Sequence, residues 1–251
     1  MKAFFKHFGS KGRIGAKLPP PRFRTIIEPF AGSAAYSVRY ATPDHDVLLF
    51  DTDERVCIIW DYLIHASSDD IMALPVKHFA NGGDIRDLNL SRPEYLFIQR
   101  WLSISGAHSH YLAPCLRCDR EGKAGNIWSE KARARIAGQV DQIKHWKIKC
   151  EPYTSAPNVE AHWHIDPPYR DNAHGHQEYK ADPLDYESLS EWCRARRGDV
   201  TVHEQEGADW LPFVTLDASA RTSSISTTRQ QKRAHEVYWT NDLISKSEPK
   251  E

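Results

Sequence analysis

The run His164-Ile165-Asp166-Pro167-Pro168-Tyr169 brings together three groups that can act on one flat ligand: a carboxylate, a stiffly held carbonyl and an aromatic ring. Proline donates no backbone hydrogen bond and its ring fixes φ, so Pro167-Pro168 stiffens the chain and turns it out of any sheet. The preceding His162-Trp163-His164-Ile165 reads as a strand. The segment therefore leaves the sheet at its carboxyl edge, where α/β folds bind ligands. An exocyclic amino group on a planar ring suits this set. Asp166 and the Pro167 carbonyl accept its two N–H hydrogens, and Tyr169 stacks on the ring. A Pro-Pro turn can equally be a plain loop, so other positions must bear on the choice.

Two do. Glu28-Pro29-Phe30-Ala31-Gly32-Ser33 follows the apolar strand Thr25-Ile26-Ile27-Glu28 and runs into a helical stretch, Ala34 to Tyr40. A glycine turn entering a helix lets backbone come close to a cofactor. Asp51 ends the next apolar strand, Val47 to Phe50. Doubly wound nucleotide folds place an acid there to bind ribose hydroxyls. The competing role for Asp51 is an N-cap for the helix that starts at Glu54.

The elements that must carry these residues follow from periodicity. Glu54 to His65 has apolar Val56, Ile59, Trp60 and Leu63 at helical spacing. Strand, turn, helix, strand, acid, helix opens a doubly wound α/β sheet. Residues 66–145 break the rhythm with turn-rich stretches, and Trp128 to Trp146 reads as one helix. This stretch is expected to be an inserted, mainly helical lobe. The sheet resumes at residues 146–150 and 162–165, with a helix from Tyr186 to Arg196 and a strand at Val200 to His203. The expected division is a catalytic domain of residues 1–65 and 146–241, the lobe 66–145, and a disordered tail 242–251.

Net charge is −1, yet the positive charge is clustered. Residues 1–24 hold seven Lys and Arg and no acid; residues 115–150 hold nine against four acids; residues 219–235 hold four and no acid. Such stretches fit phosphate contacts, although solvated surface explains them too. At 40% hydrophobic and 11% aromatic, 251 residues can build a core. No apolar run is long enough to span a bilayer. Five scattered cysteines suggest no disulfide framework and an intracellular, reducing setting. Cys115 and Cys118, with His108 and His110 upstream, have a zinc-like spacing, but no second pair stands at finger distance, so no metal is expected. His162 and His164 alternate with Trp163 and Ile165 and read as packing or solvated residues rather than ligands.

Taken together, the motifs resemble the Dam-like family of adenine-N6 DNA methyltransferases, over roughly residues 4–241. Phe4-Phe5-Lys6-His7-Phe8-Gly9-Ser10-Lys11 resembles the family's N-terminal Phe-x-Lys-Trp-x-Gly-Gly-Lys element. Glu28 to Ser33 resembles its cofactor loop, Asp51-Thr52-Asp53 its ribose motif, and Asp166 to Tyr169 its catalytic motif without change. His7 stands in place of tryptophan, Ser10 and Ala34 in place of glycines, and Asp53 in place of asparagine. No acid near Glu151-Pro152-Tyr153 matches the one that commonly contacts the cofactor's adenine.

The resemblance implies a Rossmann-like sheet using S-adenosylmethionine (AdoMet) to methylate the adenine amino group in duplex DNA, with the base flipped out of the helix. Asp166, Pro167, Pro168 and Tyr169 would be catalytic. His7, Lys11, Glu28, Pro29, Phe30, Gly32, Ser33, Asp51 and Asp166 would hold the cofactor. Lys6, from the resemblance, and Arg117, Arg120, Lys123, Arg133 and Arg135, from the basic lobe, would meet DNA. The chain is expected to act as a monomer. The alternatives are cytosine-N4 methylation, which usually has serine in place of the aspartate, RNA or protein methylation, and a DNA-binding module without catalysis.

Overall fold

The apolar runs at residues 26–27 and 47–50 form two of the parallel strands, as expected where both faces are covered, whereas the parallel strands at 147–149 and 161–165 alternate polar and apolar residues. β1 is Thr25–Glu28, β2 is Asp46–Phe50, β3 is Lys147–Lys149, β4 is Ala161–Ile165, β5 is Gly198–Gln205, β6 is Val214–Thr215 and β7 is Glu236–Thr240. The computed structural model describes residues 1–7, 18–102, 109–112, 127–170, 184–215 and 236–241. The strands form a mostly parallel mixed sheet in the order β3-β2-β1-β4-β5-β7-β6, so the protein is of the α/β class. Among the described residues, no helix is long and apolar enough to cross a membrane.

Two compact units divide the chain. One comprises Met1–Leu18 with Ala31–Pro152, the other Pro19–Phe30 with Tyr153–Glu251. In the first, β2 pairs in parallel with β3, with Leu48 opposite Lys147 and Phe50 opposite Lys149. Its helices are α1 (Ala35–Tyr40), α2 (Glu54–His65), α3 (Ser68–Ala73), α4 (Lys77–Ala80), α5 (Arg92–Gln99) and α6 (Glu130–Ala137). α2 packs on α5, and α3 on α6. Trp60 of α2 is fully buried, with Phe4, Phe5 and Trp146 around it at centroid distances of 5.8, 5.3 and 5.7 Å. The N-terminal segment is stitched into the same helices: Trp101 Nε1 donates to the Phe4 carbonyl, and Arg135 donates to that of Ala3.

The expected single helix from Trp128 to Trp146 is two pieces. α6 ends at Ala137, Gly138 follows, and a 3-10 turn covers Val140–Ile143. The break still buries Ile136, Val140 and Ile143, the residues whose spacing suggested one helix.

In the second unit β1, β4 and β5 run parallel, with Ile26 opposite His162 and Trp163 opposite Val200. β7 adds to β5 antiparallel, and β6 to β7. α7 (Tyr186–Arg194) starts at Asp185, whose side chain accepts the N–H groups of Glu187 and Ser188. Trp192 of α7 meets Trp163 edge-on at 5.5 Å. Side chains alternate along a strand, so His162 and His164 share the other face of β4. Both are buried, as is His203, whose ring lies 4.8 Å from that of His164.

Candidate active site

In the first unit the candidate cofactor residues gather around Gly32. Its φ is +45°, a region glycine enters without strain. A Cβ there would lie 2.9 Å from Cδ2 of His7, so the imidazole sits directly over this glycine. Both backbone groups of Gly32 are bonded: its N–H donates to Asp51 Oδ2 at 2.8 Å, and its carbonyl accepts from Trp60 Nε1 at 2.8 Å. Asp51 Oδ1 accepts the Asp53 N–H at 2.8 Å. Burial pushes the Asp51 carboxyl pKa up, and the backbone N–H groups of Asp53 and Gly32 pull against it. Asp53, not Asp51, caps α2, taking the N–H of Arg55.

His7 is held neutral. Burial, aided by Arg100, takes its pKa down to about 4. Ala34, where the resembled family has glycine, also lies in the left-handed region, at φ +45° and ψ +49°. An alanine there carries strain that glycine would not. Ser33 is buried beside it. Lys6 lies over the Trp101 ring with Nζ 5.8 Å from its centroid, and burial lowers its pKa to about 8.

Arg133 and Arg135, the two described arginines among those expected to meet DNA, have partners in their own chain. Arg133 donates to the Leu74 carbonyl at 2.6 Å and pairs with Glu130. Arg135, bonded to Ala3, also lies over Trp101 at 5.6 Å. Lys11, Arg117, Arg120, Lys123, His108, Cys115 and Cys118 lie outside the described residues, as do the stretch 219–235 and the tail. Among the described residues no cluster of His, Cys, Asp and Glu could hold a metal ion.

In the second unit Glu28 is buried at the end of β1, and Phe30 stacks on Tyr153 at 5.4 Å. Asp166 follows the last residue of β4, partly exposed beside buried Pro167. The Pro168 carbonyl accepts the Tyr186 hydroxyl at 2.6 Å. The Tyr169 hydroxyl donates to Glu236 Oε2 at 2.9 Å. Burial and the neighbouring Asp166, Glu236 and Glu204 carboxyls hold the phenol well above its ordinary pKa. Glu204, 1% exposed, accepts the Gln205 N–H at 2.8 Å and Trp210 Nε1 at 3.1 Å. A cleft of about 300 Å³ lies here, lined by Arg170, Glu204, Gln205, Gly207, Ala208 and Asp209.

Tyr186, Glu204, Trp210 and Glu236 were not legible as site residues. The sole local signal was Asp185 as a cap that places Tyr186 at the start of α7. The alternating Glu236-Val237-Tyr238-Trp239-Thr240 could have been read as a strand. The arrangement around Asp166 offers a partly exposed carboxylate followed by a rigid, hydrogen-bonded backbone and a tethered ring. Such a site can accept hydrogen bonds from an amino group and hold a flat ligand without forming a covalent bond to it. No protein-family model matches the chain, and no curated protein matches it.

Proposed function

We propose that the protein transfers the methyl group of AdoMet to the N6 amino group of adenine in duplex DNA. The observation that carries this reading is the Asp166–Tyr169 segment. A partly exposed carboxylate stands at the carboxyl end of a central parallel strand, followed by a di-proline and a ring whose hydroxyl is tied to Glu236.

The residues around Gly32 suit the cofactor. A carboxylate has about four lone-pair sites, and Asp51 at the end of β2 accepts backbone N–H groups from Gly32, Asp53 and Thr52. That leaves about one acceptor site for a ribose hydroxyl. A neutral His7 adds no charge repulsion against a sulfonium. When bound, AdoMet supplies a methyl carbon already activated by its sulfonium.

The protein's work is then positional. The adenine amino nitrogen is a poor nucleophile because its lone pair is delocalised into the ring. Hydrogen bonds from that group to Asp166 and the Pro167 carbonyl favour a pyramidal nitrogen with its lone pair free to attack; the new N–C bond would replace the C–S bond of the sulfonium, and the extra proton on nitrogen would pass to solvent. Fixed acceptors and orientation supply the rate. Tyr169 stacks on the flipped base, which cannot be reached inside the duplex.

The test is tritiated methyl transfer from AdoMet to duplex DNA, followed by nucleoside analysis, with AdoMet binding measured in parallel by calorimetry. N6-methyladenine is the expected product. N4-methylcytosine alone would overturn the substrate, and DNA binding with neither AdoMet binding nor transfer would overturn the enzyme.

A further inference from the structure

The backbone on either side of Tyr169 is gripped by side chains from distant parts of the second unit. At Pro168 the ring sets φ and leaves ψ as the soft torsion. The hydrogen bond from Tyr186 to the Pro168 carbonyl, at 2.6 Å, fixes that torsion. One residue beyond Tyr169, the backbone of Arg170 hydrogen-bonds to the Glu204 carboxyl, and its guanidinium meets Asp209 at 2.8 Å. The two grips are joined. Trp210 packs against the Tyr186 ring at 5.5 Å and donates its Nε1–H to Glu204. Phe213 backs Trp210 at 5.1 Å.

A closed path thus runs from the Pro168 carbonyl through Tyr186, Trp210 and Glu204 to the backbone of Arg170. Nothing in the strand pairing requires it, because β4 and β5 are registered through their own backbones. Burying a carboxyl is costly unless its lone pairs are used, and those of Glu204 go to Gln205, Trp210 and Arg170.

We infer that Tyr186, Trp210 and Glu204 form a clamp that positions Asp166 and the Pro167 carbonyl, with Glu204 acting as a carboxylate. For its catalytic readout this rests on the methyl-transfer reading above. Ionised, Glu204 accepts at both oxygens; protonated, it turns one of them into a donor. Burial lifts its pKa to about 7, the hydrogen bonds from Gln205, Trp210 and Arg170 pull it down, and Asp166 pushes it up. Among the described residues, Tyr169, Glu236, Arg170, Asp209 and the clamp's own Tyr186 are further titratable or charged groups near it. The clamp therefore loosens as pH falls through about 7.

Tyr186→Phe and Glu204→Gln, each in the full chain, test this. Both should keep the circular dichroism spectrum of wild type, which shows that the fold persists. kcat should fall about 10- to 100-fold, the scale of a misplacement near 1 Å. Peptides spanning 164–170 should exchange amide hydrogens faster. In wild type and Tyr186→Phe, kcat should drop as pH falls through about 7, and in Glu204→Gln that dependence should flatten. Unchanged exchange over 164–170 in both variants would overturn the clamp, as would an intact pH profile in Glu204→Gln. A wild-type protein that transfers no methyl group would sink the functional reading, and the exchange arm would still decide on the clamp. If Glu204→Gln does not fold, Tyr186→Phe, which removes a single hydroxyl, decides alone.

Discussion

The two units hold their candidate site residues in different ways. Around Gly32, the polar bonds link the ends of two successive strands: Asp51 accepts the N–H groups of Gly32, 19 positions before it, and of Asp53, two after it, and Asp53 accepts that of Arg55. Around Asp166, the bonds come from residues 18 to 67 positions away: Tyr186 to Pro168, and Tyr169 to Glu236. A grip between two strand ends, each marked by its own apolar run, is encoded in motifs. A grip built from distant strands and a distant helix start is encoded only in the topology. The residues of the second grip share partners, so the effects of substituting them should be coupled and not simply additive.

The largest expected effect lies on the second side. Asp166→Asn keeps size but removes the charge and makes half of the side chain a donor. kcat should fall by roughly two to four orders of magnitude, the scale for one preorganised electrostatic group, with circular dichroism and thermal melts showing that the fold persists. Turnover near wild type would mean that Asp166 does not hold the acceptor.

Next comes acid stability. His162 is 2% exposed, and burial, with Asp199 opposing and Arg22 assisting, takes its pKa down to about 4. The unfolded chain binds a proton near pH 6.5 and the folded chain does not, so the protein should lose stability as pH falls from about 6.5 to 4. The contribution is on the order of 3 kcal/mol. Thermal melts of wild type and His162→Leu across that range check it. A variant with the same slope as wild type would assign the acid sensitivity to other groups.

A smaller effect is expected at the Tyr169 hydroxyl. The sequence suggests that only its ring matters, but the hydroxyl bonds to buried Glu236. Tyr169→Phe should therefore cost about 1.5–3 kcal/mol, the range for a hydrogen bond to a charged group, read in denaturant melts. A loss under about 0.5 kcal/mol would show the tether to be dispensable.

The smallest concerns Ala34. Left-handed backbone costs a non-glycine residue about 1–2 kcal/mol, while glycine costs about 0.5–1 kcal/mol of unfolded-state entropy. Ala34→Gly should thus be neutral or stabilising by up to about 1 kcal/mol. Ala35→Gly, one residue into α1, should destabilise. A clear loss of stability in Ala34→Gly would show that its buried methyl outweighs the strain.

These contrasts match what could be read from the chain. β1 and α2 have the bounds expected from their apolar runs, because buried parallel strands and an amphipathic helix leave local periods. Asp51 was legible as a strand-end acid, and its rival role passed to Asp53, two residues on. The helix break at Gly138 was not legible, since Ile136, Val140 and Ile143 keep a helical spacing through it. Arg133 and Arg135 show the limit of counting charge: each is committed to a backbone carbonyl that composition cannot reveal. Glu204 and Glu236 gain their meaning only where β5 and β7 pair, with Gln205 opposite Glu236.

The most direct measurement of the central claim is nucleoside analysis of DNA methylated by the purified protein with tritiated AdoMet. The account predicts label in N6-methyladenine alone, lost with Asp166→Asn. Label confined to N4-methylcytosine, or no label with wild-type protein that binds both AdoMet and DNA, would contradict it.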